Sequence, residues 1–449
     1  MEFVVGILLL LTFFGLAYYC IKGHNLMIGF LIITILWTAL SFLGAAFASP
    51  EFLSTTAFYS NGEPVKAIAI LNKIYQSAPE GWGTTLVNVC WGAWFGRVLM
   101  ETGIASTLIR KTVELGGDRP IITIVLLNVV TAFIFTAMMG AGPVIAIGVI
   151  VLPIMMSLGV PKAIAMFSFM ESVAAGIYLN PVNFAQYRAF FIDVDEMPNF
   201  TLGWYAGKWG YAALIISVVV TTILAGFFLK KSKTSHAWAA QTRGASEQKD
   251  APLYTLILPI VPVVLKIWLD FSVIGGFVIA GFAALFLCGK MKGSFKENCQ
   301  LVNKLYYDGV VDTAPLVGFL LTLPMFNTCA SYASPYFKEV LGGIMPTNEY
   351  VVCALFAALS ILGFFRGPLT LYGCGAATLG VLSAVGHFSV PFLFCVFTIP
   401  ATTVNVGSCI TQSWIAWGLA YTKVESRDYL KLSIPFAYIC SILLYICLL

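Results

Sequence analysis

Four stretches of this chain set polar or helix-breaking residues inside apolar sequence. They are Met139-Gly140-Ala141-Gly142-Pro143, Gly176-Ile177-Tyr178-Leu179-Asn180-Pro181-Val182-Asn183, Phe365-Arg366-Gly367-Pro368 and Thr402-Thr403-Val404-Asn405-Val406-Gly407-Ser408. Proline is favoured in the first turn of a helix, where its missing N–H has no intrahelical partner to lose. The order Gly-Pro therefore predicts that one helix starts at Pro143 and another at Pro368. Each start presents free N–H groups and partial positive charge, which suits an anion. Gly140, Ala141, Gly142, Gly367 and Thr370 belong to these starts and are candidates to bind substrate. Asn180, Asn183, Asn405, Ser408 and Thr411 add side-chain groups to the same candidate site. Carbonyl ends of the preceding half-helices suit Na⁺, and Asn180, Asn405, Thr402 and Glu171 are the candidates to hold a coupling ion. The plainer reading makes each polar residue a helix-packing hydrogen bond.

Arg366 carries the most specific chemistry. An arginine inside a membrane is functional by default, and its fork matches a carboxylate in bidentate fashion. The alternative is a structural ion pair with Glu171, which otherwise reads as a proton carrier. Asp308 and Asp312 read as interfacial, and Arg97, Glu101 and Arg188 fall near span ends with no assigned role.

These groups need elements to position them. Of 449 residues, 59% are apolar or aromatic and 10% charged, against about a quarter charged in soluble domains. The fold class expected is an all-α polytopic membrane protein, multi-pass in the cell (inner) membrane. Spans of about 20 residues fit near 3–21, 25–45, 82–102, 161–191, 206–229, 253–269, 271–289, 306–326, 389–421 and 432–449. The N-terminal apolar run lacks a signal peptide's basic start and reads as the first retained span. Stretches 120–158 and 349–386 are too long for one crossing, each has Gly-Pro near its middle, and they read as re-entrant hairpins.

Charge sets the orientation. With both termini extracytoplasmic, the inner loops hold 17 of the 25 basic residues, among them Lys22, Arg110, Lys230 and Lys431. An outer loop reads Asp193, Asp195 and Glu196. The polar segment 230–250 is the expected cytoplasmic linker between halves 1–229 and 251–449.

The halves share a pattern. The two Gly-Pro dipeptides lie 225 residues apart, each opens G-P-x-x-x-x-G (to Gly148 and Gly373), and Asn180 and Asn405 follow 38 residues after Gly142 and Gly367. Each half then holds five transmembrane helices plus one re-entrant hairpin, with broken spans at 161–191 and 389–421. Five crossings invert the second repeat relative to the first.

No metal-ligand, nucleotide-loop or hydrolase motif is present, so neither an enzyme nor a cofactor is expected, with Na⁺ or H⁺ as coupling ion only. The eleven cysteines form no framework, and His24, His236 and His387 form no ligand set. A net charge of +4 argues against nucleic acid as a partner; the lipid bilayer is the expected one.

Gly92-Ala93-Trp94-Phe95-Gly96-Arg97 with Glu101-Thr102-Gly103-Ile104-Ala105 and Gly117-Asp118-Arg119 resembles the segment before the first hairpin of gluconate permeases and citrate transporters. Gln412-Ser413-Trp414 and Glu425-Ser426-Arg427-Asp428 look like the end of citrate-type members. The resemblance is to the ion transporter superfamily. It implies a homodimer working by an elevator mechanism, with scaffold and transport domains, that imports organic anions on H⁺ or Na⁺ gradients. By position it passes the tip roles to 140–144 and 366–370 and the break roles to 180–183 and 405–408. Dicarboxylate members carry Ser-Asn-Thr at both tips, which this chain lacks, so dicarboxylate specificity does not carry over. The expected function is Na⁺- or H⁺-coupled symport of a small organic anion, a carboxylate or sugar acid. The rivals are a Na⁺/H⁺ antiporter on the same fold and a channel.

Overall fold

A computed structural model describes residues 2–449 except 23, 55, 61–62, 118, 192–199, 233–249, 342–345, 374 and 386–387. Most of the expected linker 230–250 lies outside the described residues, as do Asp193, Asp195, Glu196, His236 and His387. The protein is all-α. Among the described residues the one sheet is a short antiparallel pair, Tyr59–Ser60 with Glu63–Pro64.

Four helices are long and apolar enough to cross a membrane: Met27–Phe47, Leu202–Lys231, Val390–Thr422 and Ser426–Leu448. Two bent pairs raise the number to six where each is counted as one span: Lys162–Ile177 with Pro181–Arg188, bent by 68°, and Glu349–Ala358 with Ser360–Arg366, bent by 64°. The protein is therefore membrane-embedded. The remaining helices are shorter or more polar.

The broken spans form the centre. Every residue from Ile164 to Ile177 is buried, and so is every residue from Phe392 to Ser408. Helices apolar on all sides belong in the interior. An 18-residue stretch of Val390–Thr422 is accordingly 94% buried, against 39% for one in the peripheral Met27–Phe47. Local sequence explains each break. Lys162–Ile177 ends, Asn180 caps the next helix, and Pro181 starts it in the position proline favours. Val390–Ile399 instead runs into a π-helical stretch, Pro400–Ser408, before Ser413–Thr422 begins.

Three expectations change. Pro143 lies in the first turn of Ala141–Ser157 as the Gly-Pro order requires, but Pro368 opens no helix. The helix after the second tip, Gly375–Val385, starts seven residues beyond Pro368, because the intervening chain folds into tight turns on Thr370 O. Stretch 306–326 is the middle of one continuous 47-residue helix, Phe295–Leu341. The presumed loop after residue 103 contains the helix Ile104–Gly116, whose Arg110 pairs with Asp250 at 2.6 Å.

Candidate functional site

The first tip is the turn between Pro120–Phe135 and Ala141–Ser157. Gly140 sits at φ 95°, open to glycine and strained for other residues. Asn180 organises the turn from below. Its Oδ1 accepts from the N–H groups of Val182 and Asn183, and its Nδ2 donates to the carbonyls of Phe135 and Met138, each at 3.1 Å. One buried amide thus caps a helix start and a helix end together. With four bonds in use, its hydrogen-bonding capacity is filled.

The second tip is more strained. Phe365 and Arg366 take φ of 54° and 60°, left-handed backbone that bulky residues rarely adopt. Phe365 N–H donates to Cys409 Sγ at 3.1 Å, fastening the tip to the second break. The Arg366 guanidinium donates to Gln412 Oε1 at 2.9 Å and to the Tyr372 carbonyl at 3.5 Å. A Cβ on Gly373 would meet the Arg366 carbonyl, so glycine there lets the chain close around the arginine.

Both tips and both breaks open onto one cavity of about 590 Å³. Met139, Gly140 and Ala141 come from the first tip, Ile177, Asn183 and Gln186 from the first broken span. Arg366 and Tyr372 come from the second tip, and Val406 and Thr411 to Trp414 from the second break and the helix after it. Asp312, Thr313, Ala314 and Gly318 of Phe295–Leu341 close one wall, with His24 and Asn25 of the first interhelical turn and Met27 of the helix after it. Hydrogen bonds tie the parts together. Tyr372 OH donates to Gln186 Oε1 at 2.6 Å, Tyr187 and Thr402 hydroxyls meet at 3.0 Å, and Tyr178 and Thr403 hydroxyls at 2.7 Å.

Asp312 corrects an expectation, because it lines the cavity rather than an interface. Arg97 grips its carboxylate with Nε and Nη2, each at 2.6 Å, a bidentate pair with side chains 28% and 16% exposed. The pair stands against the first tip, since a Cβ on Gly142 would run into the Asp312 carboxylate. Glu171 forms no ion pair among the described residues, and Arg366 is not its partner in any described bond. It is fully buried and accepts from Ser408 Oγ at 2.7 Å through Oε1, while Oε2 has no hydrogen-bond partner. Gly407 lies against Oε2, where a Cβ would not fit. Tyr429 OH donates to the Gly407 carbonyl.

Of the residues singled out from sequence, Gly140, Ala141, Asn183, Arg366 and Thr411 line the cavity. Gly142 lies behind Asp312, and Gly367 is in the turn on the Phe364 carbonyl. Glu171, Asn180, Thr402, Asn405 and Ser408 form the buried layer of the breaks, and Thr370 is buried in the second tip. Asn405 differs from Asn180, as neither its Oδ1 nor its Nδ2 has a partner; Thr370 Oγ1 has none either. Sequence reasoning assigned no site role to Gln186, Tyr372, Gln412, Arg97 or Asp312. Gln186 had a signal, three residues after Asn183 and hence on the same helical face. The Arg97–Asp312 pairing had none, because 215 residues separate the partners. Among the described residues no group of three or more His, Cys, Asp or Glu side chains could hold a metal ion.

No protein-family model matches the chain, and no curated protein matches it significantly.

Proposed function

We propose that the protein is a secondary transporter that moves a small organic anion together with H⁺ or Na⁺. One observation carries the reading: a single cavity of about 590 Å³ gathers both tips and both helix breaks around Arg366. Irregular backbone at membrane depth is tolerated where protein or a wet cavity covers it, and such breaks are where transporters hold substrate. Arg366, with the Asn183 amide and the Thr411 hydroxyl on the same walls, provides donors for a carboxylate. The unpartnered oxygens of Glu171 and Asn405 in the layer behind are the seat for the coupling ion.

Two inverted repeats underlie this reading. Tyr178 and Thr403, whose hydroxyls meet, are 225 residues apart, the spacing that separates Gly142 from Gly367 and Asn180 from Asn405. Contact between equivalent positions of two repeats is what a two-fold axis through that point produces. The hairpins, an elevator motion and a homodimer belong to the same proposal and rest on the family resemblance. An exchanger of Na⁺ for H⁺ would need closely placed carboxylates, and Glu171 has no second carboxylate among its described partners.

The test is uptake of labelled carboxylates into proteoliposomes under imposed H⁺ or Na⁺ gradients. Gradient-driven accumulation is expected, with Arg366→Ala raising KM about tenfold to a hundredfold, the loss of a charge-assisted hydrogen bond. Unchanged affinity in Arg366→Ala removes the carboxylate assignment. Sodium-dependent pH changes without carboxylate uptake select the exchanger.

A further inference from the structure

The cavity holds opposed charges that a simple anion receptor would not need. Arg366 enters from the second tip and Asp312 from Phe295–Leu341, and both line the same wall-to-wall space. Arg97 stands behind Asp312 and engages one lone pair on each of its oxygens. A carboxylate offers about four lone-pair sites, so Asp312 keeps acceptor capacity toward the cavity. On the described walls, two guanidinium groups against one carboxylate leave a single net positive charge. The other titratable groups on the described walls are the His24 imidazole and the Tyr372 phenol.

Resting on the transport reading above, we propose that Asp312 is a specificity-determining residue. Its carboxylate, presented by Arg97, admits an anion with one negative charge and turns away an anion with two. The ligand places its carboxylate on Arg366 and gives hydrogen-bond donors, hydroxyl or amine, to Asp312. A second carboxylate in their place meets a like charge, and specificity of this kind is achieved by repulsion as much as by attraction. Arg97 acts as a positioning residue, aiming the carboxylate and holding its charge in place.

Matched acids test the charge count: glycerate with tartronate, threonate with tartrate, and gluconate with glucarate, each pair differing only in a terminal CH₂OH or carboxylate. Binding to purified full-length protein is measured by thermal shift and by competition in proteoliposome counterflow. The wild type is expected to favour the monoacid of the fitting pair about tenfold, the scale of one like-charge contact in a partly hydrated site. Asp312→Asn leaves two positive charges and reverses the preference. Arg97→Gln with Asp312→Asn restores one net charge and with it the monoacid preference, which a role of Asp312 in shape alone would not do. If Asp312→Asn does not fold, Arg97→Gln reads the balance from the other side, with monoacid affinity falling about tenfold as the net charge reaches zero. A wild type that binds both members equally keeps the transport reading and sinks the filter. The filter also falls if the single and double variants behave alike. No binding of any acid to any form sinks the transport reading from which the filter is drawn.

Discussion

Asn180 and Asn405, similarly placed after the two tips, meet opposite surroundings. Asn180 spends its amide on four hydrogen bonds, and Asn405 has none. Asn180→Ala should therefore cost about 3 kcal/mol of stability, most of four buried bonds, read as a fall in unfolding midpoint in detergent. Asn405→Leu should leave stability unchanged or raise it by about 1 kcal/mol, because an unpartnered buried amide is a liability. If Asn405 serves the coupling ion, the same Leu variant abolishes gradient-driven uptake while binding of the anion persists. A large loss of stability in Asn405→Leu would mean that the amide has partners the fold depends on.

At the scale of elements, close approach is set by glycine. Gly407 lets the π-helical stretch Pro400–Ser408 reach Glu171, and an added methyl would meet Glu171 Oε2 and, at 2.9 Å, Ala174 Cβ. Gly407→Ala should cost about 1–3 kcal/mol, the range for overpacking, and weaken the Ser408–Glu171 bond. An unfolding midpoint equal to the wild type's would show that the two segments separate easily. The long helix Phe295–Leu341 has its own start signal, outside the apolar spans. Ser294 N–H donates to Glu297 Oε2 at 2.7 Å, and Glu297 N–H donates to Ser294 Oγ at 3.3 Å, a reciprocal cap. The Ser294 backbone N–H, helped by its hydroxyl, holds the Glu297 carboxyl below its ordinary value of 4.5. A carboxyl lowered on folding stabilises above its unfolded value and loses that contribution as pH falls through the folded one. Amide exchange in the first turn should therefore quicken, relative to Glu297→Gln, as pH drops below 4.5. Identical pH profiles for the two proteins would count against the cap.

On the scale of the whole molecule, the two halves meet at the breaks through hydroxyl pairs and elsewhere through ion pairs, Arg97 with Asp312 and Lys290 with Glu101. Tyr178→Phe and Thr403→Val should each destabilise, with a coupling energy near about 1 kcal/mol in a double-mutant cycle, since both lose one shared bond. Additive effects would place the axis elsewhere. The charge distribution makes a separate prediction: single cysteines at Ser49 and at Gly293 should react with a membrane-impermeant maleimide from opposite sides. Labelling from one side only would overturn the orientation read from basic loops.

Much was legible in the chain because the bilayer imposes it. Apolar runs, helix-breaking pairs and lone polar residues report local physics, and they located the membrane-embedded class, the broken span at Asn180-Pro181 and Arg366 as a cavity residue. The start expected at Pro368 failed for a local reason as well, since turns on Thr370 compete with a helix there and no periodicity distinguishes the two. What tertiary structure alone decided is pairing across distance. Arg97 meets Asp312, Tyr372 meets Gln186, and Asn405 is left without a partner, because each depends on which helix faces which. The tips and breaks were visible in sequence and read as one site; that a carboxylate, Asp312, stands in the wall of their cavity was settled by the packing of helices far apart in the chain.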